Sequence, residues 1–323
     1  MKKLPFLFPP IIDAYSGTAG IVAIQMCDEK YEPLIIYNHF VVTYYKEKGV
    51  AGFNWKYYND QCVKAVDLRK NIDEQGVIPA FIQTIEKNIY IHVFLDHYYI
   101  SQSQRFKKKH FLHDCATIWG YENDCFLVAD NFYNGKFSIE KVPFKEVELA
   151  VINNENNIVE GINLDKNMDF CLEKKDLIKI ILSYLKEINI GENTAGSMID
   201  GDTIYGIGLY DVLKLECDKL LESKFEFNDY RTFHVMYNHM KVGILLVEYI
   251  NKNLATKEEF IKNEYEFMSE RMLIIRNLFI KSILSKKKEK ILKIKELIFD
   301  LRGQEKTFLE ELLRFLEKIP TIR

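Results

Sequence analysis

The sequence predicts an α+β domain over residues 1–155 followed by an all-helical domain over residues 165–323. Strand-like runs rich in β-branched and aromatic residues are confined to the first part, and beyond Ala150 the apolar residues recur with a helical period. Between them "NNENNIVEGINLDKN" (153–167) is polar and asparagine-rich, and reads as a linker or long loop. Glycine and proline are scarce, at 15 and 7, which favours long regular elements over a many-turned sandwich.

In order along the chain, a helix is expected from Tyr15 to Cys27, with Ala19, Val22, Ala23 and Met26 at helical spacing. Strands are expected at "PLIIYNHFVVTYY" (33–45), "NIYIHVFLDHYY" (88–99), "CATIWGY" (115–121) and "CFLVADNF" (125–132). The last two are joined by "END", a hairpin link, and "NGKFSIEKVPF" (134–144) adds a turn and another strand. A short amphipathic helix, Phe81 to Lys87, lies between strands. Helices then follow at 173–188, 205–223, 229–252, 257–284 and 285–318, the last broken near Gly303. Thr256 and Glu259 form a capping box at the start of the fourth, and no internal repeat is visible.

The net charge of −3 gives no pull towards nucleic acid. The basic clusters Arg105–His110 and Lys286–Lys288 read as solvated surface. The start "MKKLPFLFPPII" resembles a signal peptide only superficially: its apolar run is short and broken by prolines. No apolar stretch approaches the roughly 18 residues of a membrane helix. Six scattered cysteines without a CxxC pair suit reduced thiols, so a cytoplasmic protein that does not bind membranes is expected. "TAGIVA" and "YGIGLY" lack the spacing of a phosphate loop, so no nucleotide or other cofactor is expected.

The densest polar stretch, residues 95–132, carries His97, His110, His113, Asp96, Asp114 and Asp130. A metal reading of His110, His113 and Asp114 fails, because a strand does not place residues three apart on one face; no metal is expected. Two paired strands offer more. His113 starts one strand and Asp130 ends the next, so a hairpin sets a histidine beside a carboxylate. The carboxylate can then orient one imidazole nitrogen and leave the other for a nucleophile. A helix N-terminus, where dipole and amides stabilise a thiolate, supplies the remaining position. The helix start after "PPIID" places residue 14 there. Cys27, Cys62, Cys115 and Cys125 read as small buried hydrophobes, with Cys115 on the same strand face as His113. His39 and His92 read as structural.

"IDAYSGTAG", "LDHYYISQSQRFKKKHFLHD" and "WGYENDCFLVADNFYNGKFS" together resemble papain-like cysteine enzymes of the bacteriocin-processing-peptidase and BtrH-like groups. In those proteins a cysteine opens the central helix, which packs on an antiparallel sheet. A histidine opens a strand ending in Gly-Tyr, and Asp or Asn closes the next strand. The resemblance implies Ala14 at the nucleophile position, His113 as general base and Asp130 as orienting acid, with Asn131 an alternative orienter. Ala14 cannot attack a carbonyl, and it is read as a replacement for a native cysteine. BtrH-like members carry a helical C-terminal half and move acyl groups from carrier-protein thioesters to amines in natural-product assembly. The implied activity is amide-bond formation through a cysteine acyl-enzyme. Its implied partners are an acyl or peptidyl carrier protein and a diamine or polyamine. Two other readings stay open: a cysteine peptidase or amidase of the same fold, and a non-catalytic ligand-binding pseudoenzyme with native Ala14. Substrate-binding positions are expected among Asp13, Asp96, His97, Tyr98 and His110, and in the helical domain at Asp200 and Asp202. The plainer alternatives are a pairing of Asp96 with Arg105 and a helix N-cap at Asp202 or Thr203.

Overall fold

The structure, a computed structural model, describes residues 1–53, 62–153, 158–188, 203–225, 229–254 and 263–319. Its elements, numbered along the chain, are β1 (Lys2–Lys3), α1 (Ser16–Gln25), α2 (Glu32–His39), β2 (Val42–Tyr45), β3 (Val50–Phe53) and β4 (Val63–Asp67). Next come α3 (Arg69–Gln75), α4 (Val77–Glu86), β5 (Tyr90–Asp96), β6 (Leu112–Glu122), β7 (Cys125–Tyr133) and β8 (Lys136–Pro143). After α5 (Phe144–Ile152) and β9 (Val159–Leu164) the order is α6 (Lys174–Leu185), β10 (Thr203–Tyr205), α7 (Leu209–Glu222), α8 (Arg231–Asn253), α9 (Asn263–Ser285) and α10 (Lys288–Lys318). No helix among the described residues is long and apolar enough to cross a membrane.

Two compact units share the chain: Met1–Tyr31 with Tyr57–Asp169, and Glu32–Lys56 with Phe170–Arg323. The first is built on an antiparallel sheet in the order β4-β9-β5-β6-β7-β8, with β1 also paired to β6. Phe126 and Ala129 stand an odd number of residues apart on β7 and so point to opposite faces. Phe126 packs on Phe81 of α4 and Phe144 of α5, whereas Ala129 packs on Ala19 of α1. The sheet is therefore covered by α1 on one face and by α4 and α5 on the other. The β6–β7 link carries positive φ at Asn123 and Asp124, and the β7–β8 link at Asn134 and Gly135. Both are left-handed two-residue turns that match the strand twist, as the expected hairpins require.

The second unit holds α2, α6–α10 and the antiparallel sheet β10-β2-β3. Four differences from the sequence expectation stand out. Residues 33–45 begin as helix α2 and only then become β2; a short buried apolar run fits either element, and Pro33 in the first turn needs no N–H. The expected linker contains β9, whose "VEGINL" pairs with β4 and β5. Helix α10 runs unbroken through Gly303, which is exposed, while Leu301, Glu305 and Phe308 keep the buried face continuous. The second unit is not all-helical, and it takes in residues 32–56 from early in the chain. The capping box at Thr256 and Glu259 lies outside the described residues.

Candidate active site

Helix α1 begins at Ser16, one residue after an N-cap, Tyr15, that makes no side-chain capping bond. No acidic residue lies in its first turn, so the positive end of its dipole is not neutralised from within the helix. Ala14 sits immediately before the cap and is buried, with half-buried Asp13 preceding it. Ser16 Oγ lies 3.4 Å from His113 Nδ1, which puts the helix start beside the first residues of β6.

Pairing of β5 with β6 steps from Val93↔Ala116 to Leu95↔His113. Asp114 and Cys115 therefore face a single residue, Phe94, in a β-bulge whose second residue, Cys115, has φ +50. The extra residue reverses the alternation, so His113 does not share the strand face of Cys115 as the sequence suggested. His113 Nδ1 meets Asp130 Oδ1 at 2.7 Å, the pairing expected from the hairpin.

Asp130 is fully buried in the second half of β7, which runs on to Tyr133 and does not end at Asp130 as expected, and its other oxygen, Oδ2, lies 3.0 Å from His97 Nε2. The backbone N–H of Asn131 donates to Oδ1 at 2.6 Å, so Asn131 meets the carboxylate through its main chain. Behind His97, Ser103 Oγ lies 3.0 Å from Nδ1 and itself accepts the Arg105 backbone N–H at 3.1 Å. Burial by itself pushes the Asp130 carboxyl up, but bonds from His113 and His97 more than offset it and hold the group well below the ordinary carboxylate range. His97, His113 and Asp130 also bring ligand-capable atoms within 4.8 Å of one another. Both imidazole contacts to the carboxylate have hydrogen-bond lengths.

The other expected site residues are placed differently. His97 lies beneath Asp130 and is 2% exposed, so it does not line a cleft. Asp96 is buried and accepts from the backbone N–H groups of Tyr98 and Phe111, each at 3.0 Å, and pairs with His110 Nδ1 at 2.6 Å, not with Arg105. It thus ties down the loop after β5 instead of presenting its carboxylate to an amine. Tyr98 stacks on exposed His110 at 4.1 Å between centroids, and Arg105 lies over Phe111. Asp200 and Asp202 lie outside the described residues. Sequence reading missed Ser16 and Ser103. Ser16 could have been found as the first residue of the helix that starts at the site; Ser103 sits in an irregular loop with no periodic signal.

A concavity of about 390 Å³ opens near this loop, lined by Gln104, Arg105, Lys108, Lys109 and Tyr133. The arrangement can orient one imidazole, keep a buried carboxylate ionised beneath it, and set both beside a helix N-terminus. These are the groups that activate a thiol and move a proton to or from a leaving group. No protein-family model matches the chain, and no curated protein matches it.

Proposed function

We propose that the first unit is a thiol-acyltransferase scaffold with position 14 as its nucleophile position, His113 as general base and Asp130 as orienting acid. In the active form a cysteine at position 14 takes an acyl group from a carrier-bound thioester and passes it to an amine. The observation that carries this reading is the 2.7 Å His113–Asp130 pair beside the start of α1, two residues after Ala14. The form with Ala14 binds donor without turning it over.

In the first step a thiolate adds to the thioester carbonyl, the carrier C–S bond breaks, and the carrier thiol leaves with the proton held by His113. In the second a neutral amine adds to the acyl-enzyme carbonyl, its proton passes to His113, and the C–S bond to the enzyme breaks. An amide forms and the thiolate returns. The thioester supplies the driving force, so no ATP is consumed. A carrier with an acidic surface would meet Arg105, Lys107, Lys108 and Lys109, none of which pairs with a carboxylate among the described residues.

The test is Ala14→Cys, incubated with an acyl thioester and a diamine and followed by mass spectrometry. The expected result is an acyl adduct at position 14 that the diamine converts to an amide, with no adduct on the Ala14 chain. Free acid as the sole product would make the unit a hydrolase. No adduct from any thioester would leave a binding protein and sink the catalytic reading.

A further inference from the structure

Asp130 differs from a carboxylate that serves one imidazole, because a second histidine holds its far oxygen. An ionised carboxylate only accepts, so the 3.0 Å contact requires an N–H on His97 Nε2. In the neutral ring Nδ1 is then an acceptor, and the group facing it at 3.0 Å is the Ser103 hydroxyl, which can donate. Ser103 Oγ receives the Arg105 backbone N–H, which anchors the hydroxyl to the loop. The His97 ring lies nearly parallel to Phe132, 5.5 Å between centroids and 21° between planes, and 5.0 Å from the His113 ring. Donors and ring packing thus agree along one path, from Arg105 N–H through Ser103 and His97 to Asp130 and His113.

We propose that His97 and Ser103 are positioning residues. Ser103 directs His97 to present its Nε2–H, and that N–H pins Asp130 Oδ2. Asp130 Oδ1 is thereby held in place for the Nδ1–H of His113, which fixes the basic nitrogen of His113 at Nε2. This deepens the acyl-transfer reading and rests on it for its purpose, but the geometry it asserts is present in the Ala14 chain and needs no turnover. Without His97, Asp130 loses its donor at Oδ2 and can rotate, and His113 loses its preference for one tautomer.

The test uses the Ala14 chain labelled with 15N-histidine, read by NMR for the ring tautomer of His113. The otherwise unsubstituted Ala14 chain should show His113 carrying its proton on Nδ1. His97→Phe keeps the ring packing and removes both polar atoms; the ratio of the two His113 tautomers should fall roughly tenfold, the effect of losing one bond to a charged group. His97→Gln places an amide N–H near Oδ2 and should restore the native ratio. A folded His97→Phe chain with an unchanged ratio overturns the proposal. If that variant does not fold, Ser103→Ala decides, with His97 left in place. The His97 Nε2–H proton should then exchange with solvent about tenfold faster than in the Ala14 chain with Ser103 intact, and an unchanged rate overturns the proposal. Because this reading comes from the Ala14 chain, it stands or falls apart from whether Ala14→Cys transfers an acyl group.

Discussion

Asp130 has no exposed surface, and an isolated carboxylate in such a place would give up its charge. Three N–H groups, from His97, His113 and the Asn131 backbone, keep it ionised. The partnership of His113 and Asp130 was legible in the sequence because a hairpin fixes which strand ends meet. His97 and Ser103 were not, since their places depend on the path of the loop 97–110, and loops carry no periodicity. The same loop turned Asp96 and His110 from expected substrate ligands into partners of each other. In the Ala14→Cys chain, alkylation by iodoacetamide should persist near pH 6.5, because a neighbouring imidazole and a helix N-terminus favour the thiolate. Adding His113→Ala should slow it about tenfold or more at that pH, with the rate recovering above the ordinary thiol value near 8.5. Matching rate profiles for the two chains would remove His113 from the site.

At the scale of elements, the site depends on how closely α1 approaches β6. A methyl group at Gly20 would overlap Thr117 Oγ1 and lie 2.8 Å from Thr117 Cβ, so glycine is what lets the helix backbone rest on the strand. The helix itself was legible from Ala19, Val22 and Ala23, but nothing local to Gly20 announces a strand nearly a hundred residues later. The bulge at Asp114 and Cys115 was equally hidden, since its extra residue exists only relative to β5. Apolar runs near 33–39 were misread because burial, not period, decided between helix and strand. Gly20→Ala should lift α1 and cost about 1–3 kcal/mol, the range for overpacking a core, measured as a shift in the urea midpoint. Thr117→Ala should recover part of that loss, because it removes the atom that clashes, and Thr117 Oγ1 has no hydrogen-bond partner to lose among the described residues. Equal stability of the chain with and without Gly20→Ala would mean that the helix does not need this contact.

At the scale of the whole molecule, both units bury ionisable groups, and they do so in two ways. In the second unit Glu305 is fully buried and accepts the hydroxyls of Tyr184, Tyr210 and Tyr265 at 2.8, 2.8 and 2.9 Å, while His239 Nε2 lies 2.7 Å from it. Burial pushes Glu305 up, but His239 and the tyrosines more than offset it and hold its carboxyl below the usual range. A linear reading could not see this unit whole, because Phe40, whose carbonyl takes His239 Nδ1 at 2.7 Å, comes from the early segment 32–56. His39 and His92 are buried imidazoles as well. Burial pushes each imidazole down to about 4, with the Ile35 backbone opposing it for His39 and Asp130 and the Gly17 backbone opposing it for His92. The unfolded chain titrates these histidines near 6.5, so between pH 6.5 and 4 it binds protons that the folded units refuse. Stability from each is full above pH 6.5 and is lost as pH falls towards 4, by roughly 3 kcal/mol per histidine. Carboxylates held low, such as Asp130, lose their contribution only below this window. Urea unfolding of the parent chain and of His39→Leu at pH 7.0, 5.5 and 4.5 isolates the effect. The advantage of the parent chain over the variant should shrink by about 1.4 kcal/mol per pH unit across the window, and His92→Leu should behave likewise for the first unit. A difference that stays constant from pH 7.0 to 4.5 would mean these histidines take up protons in place, and that burial does not keep them neutral.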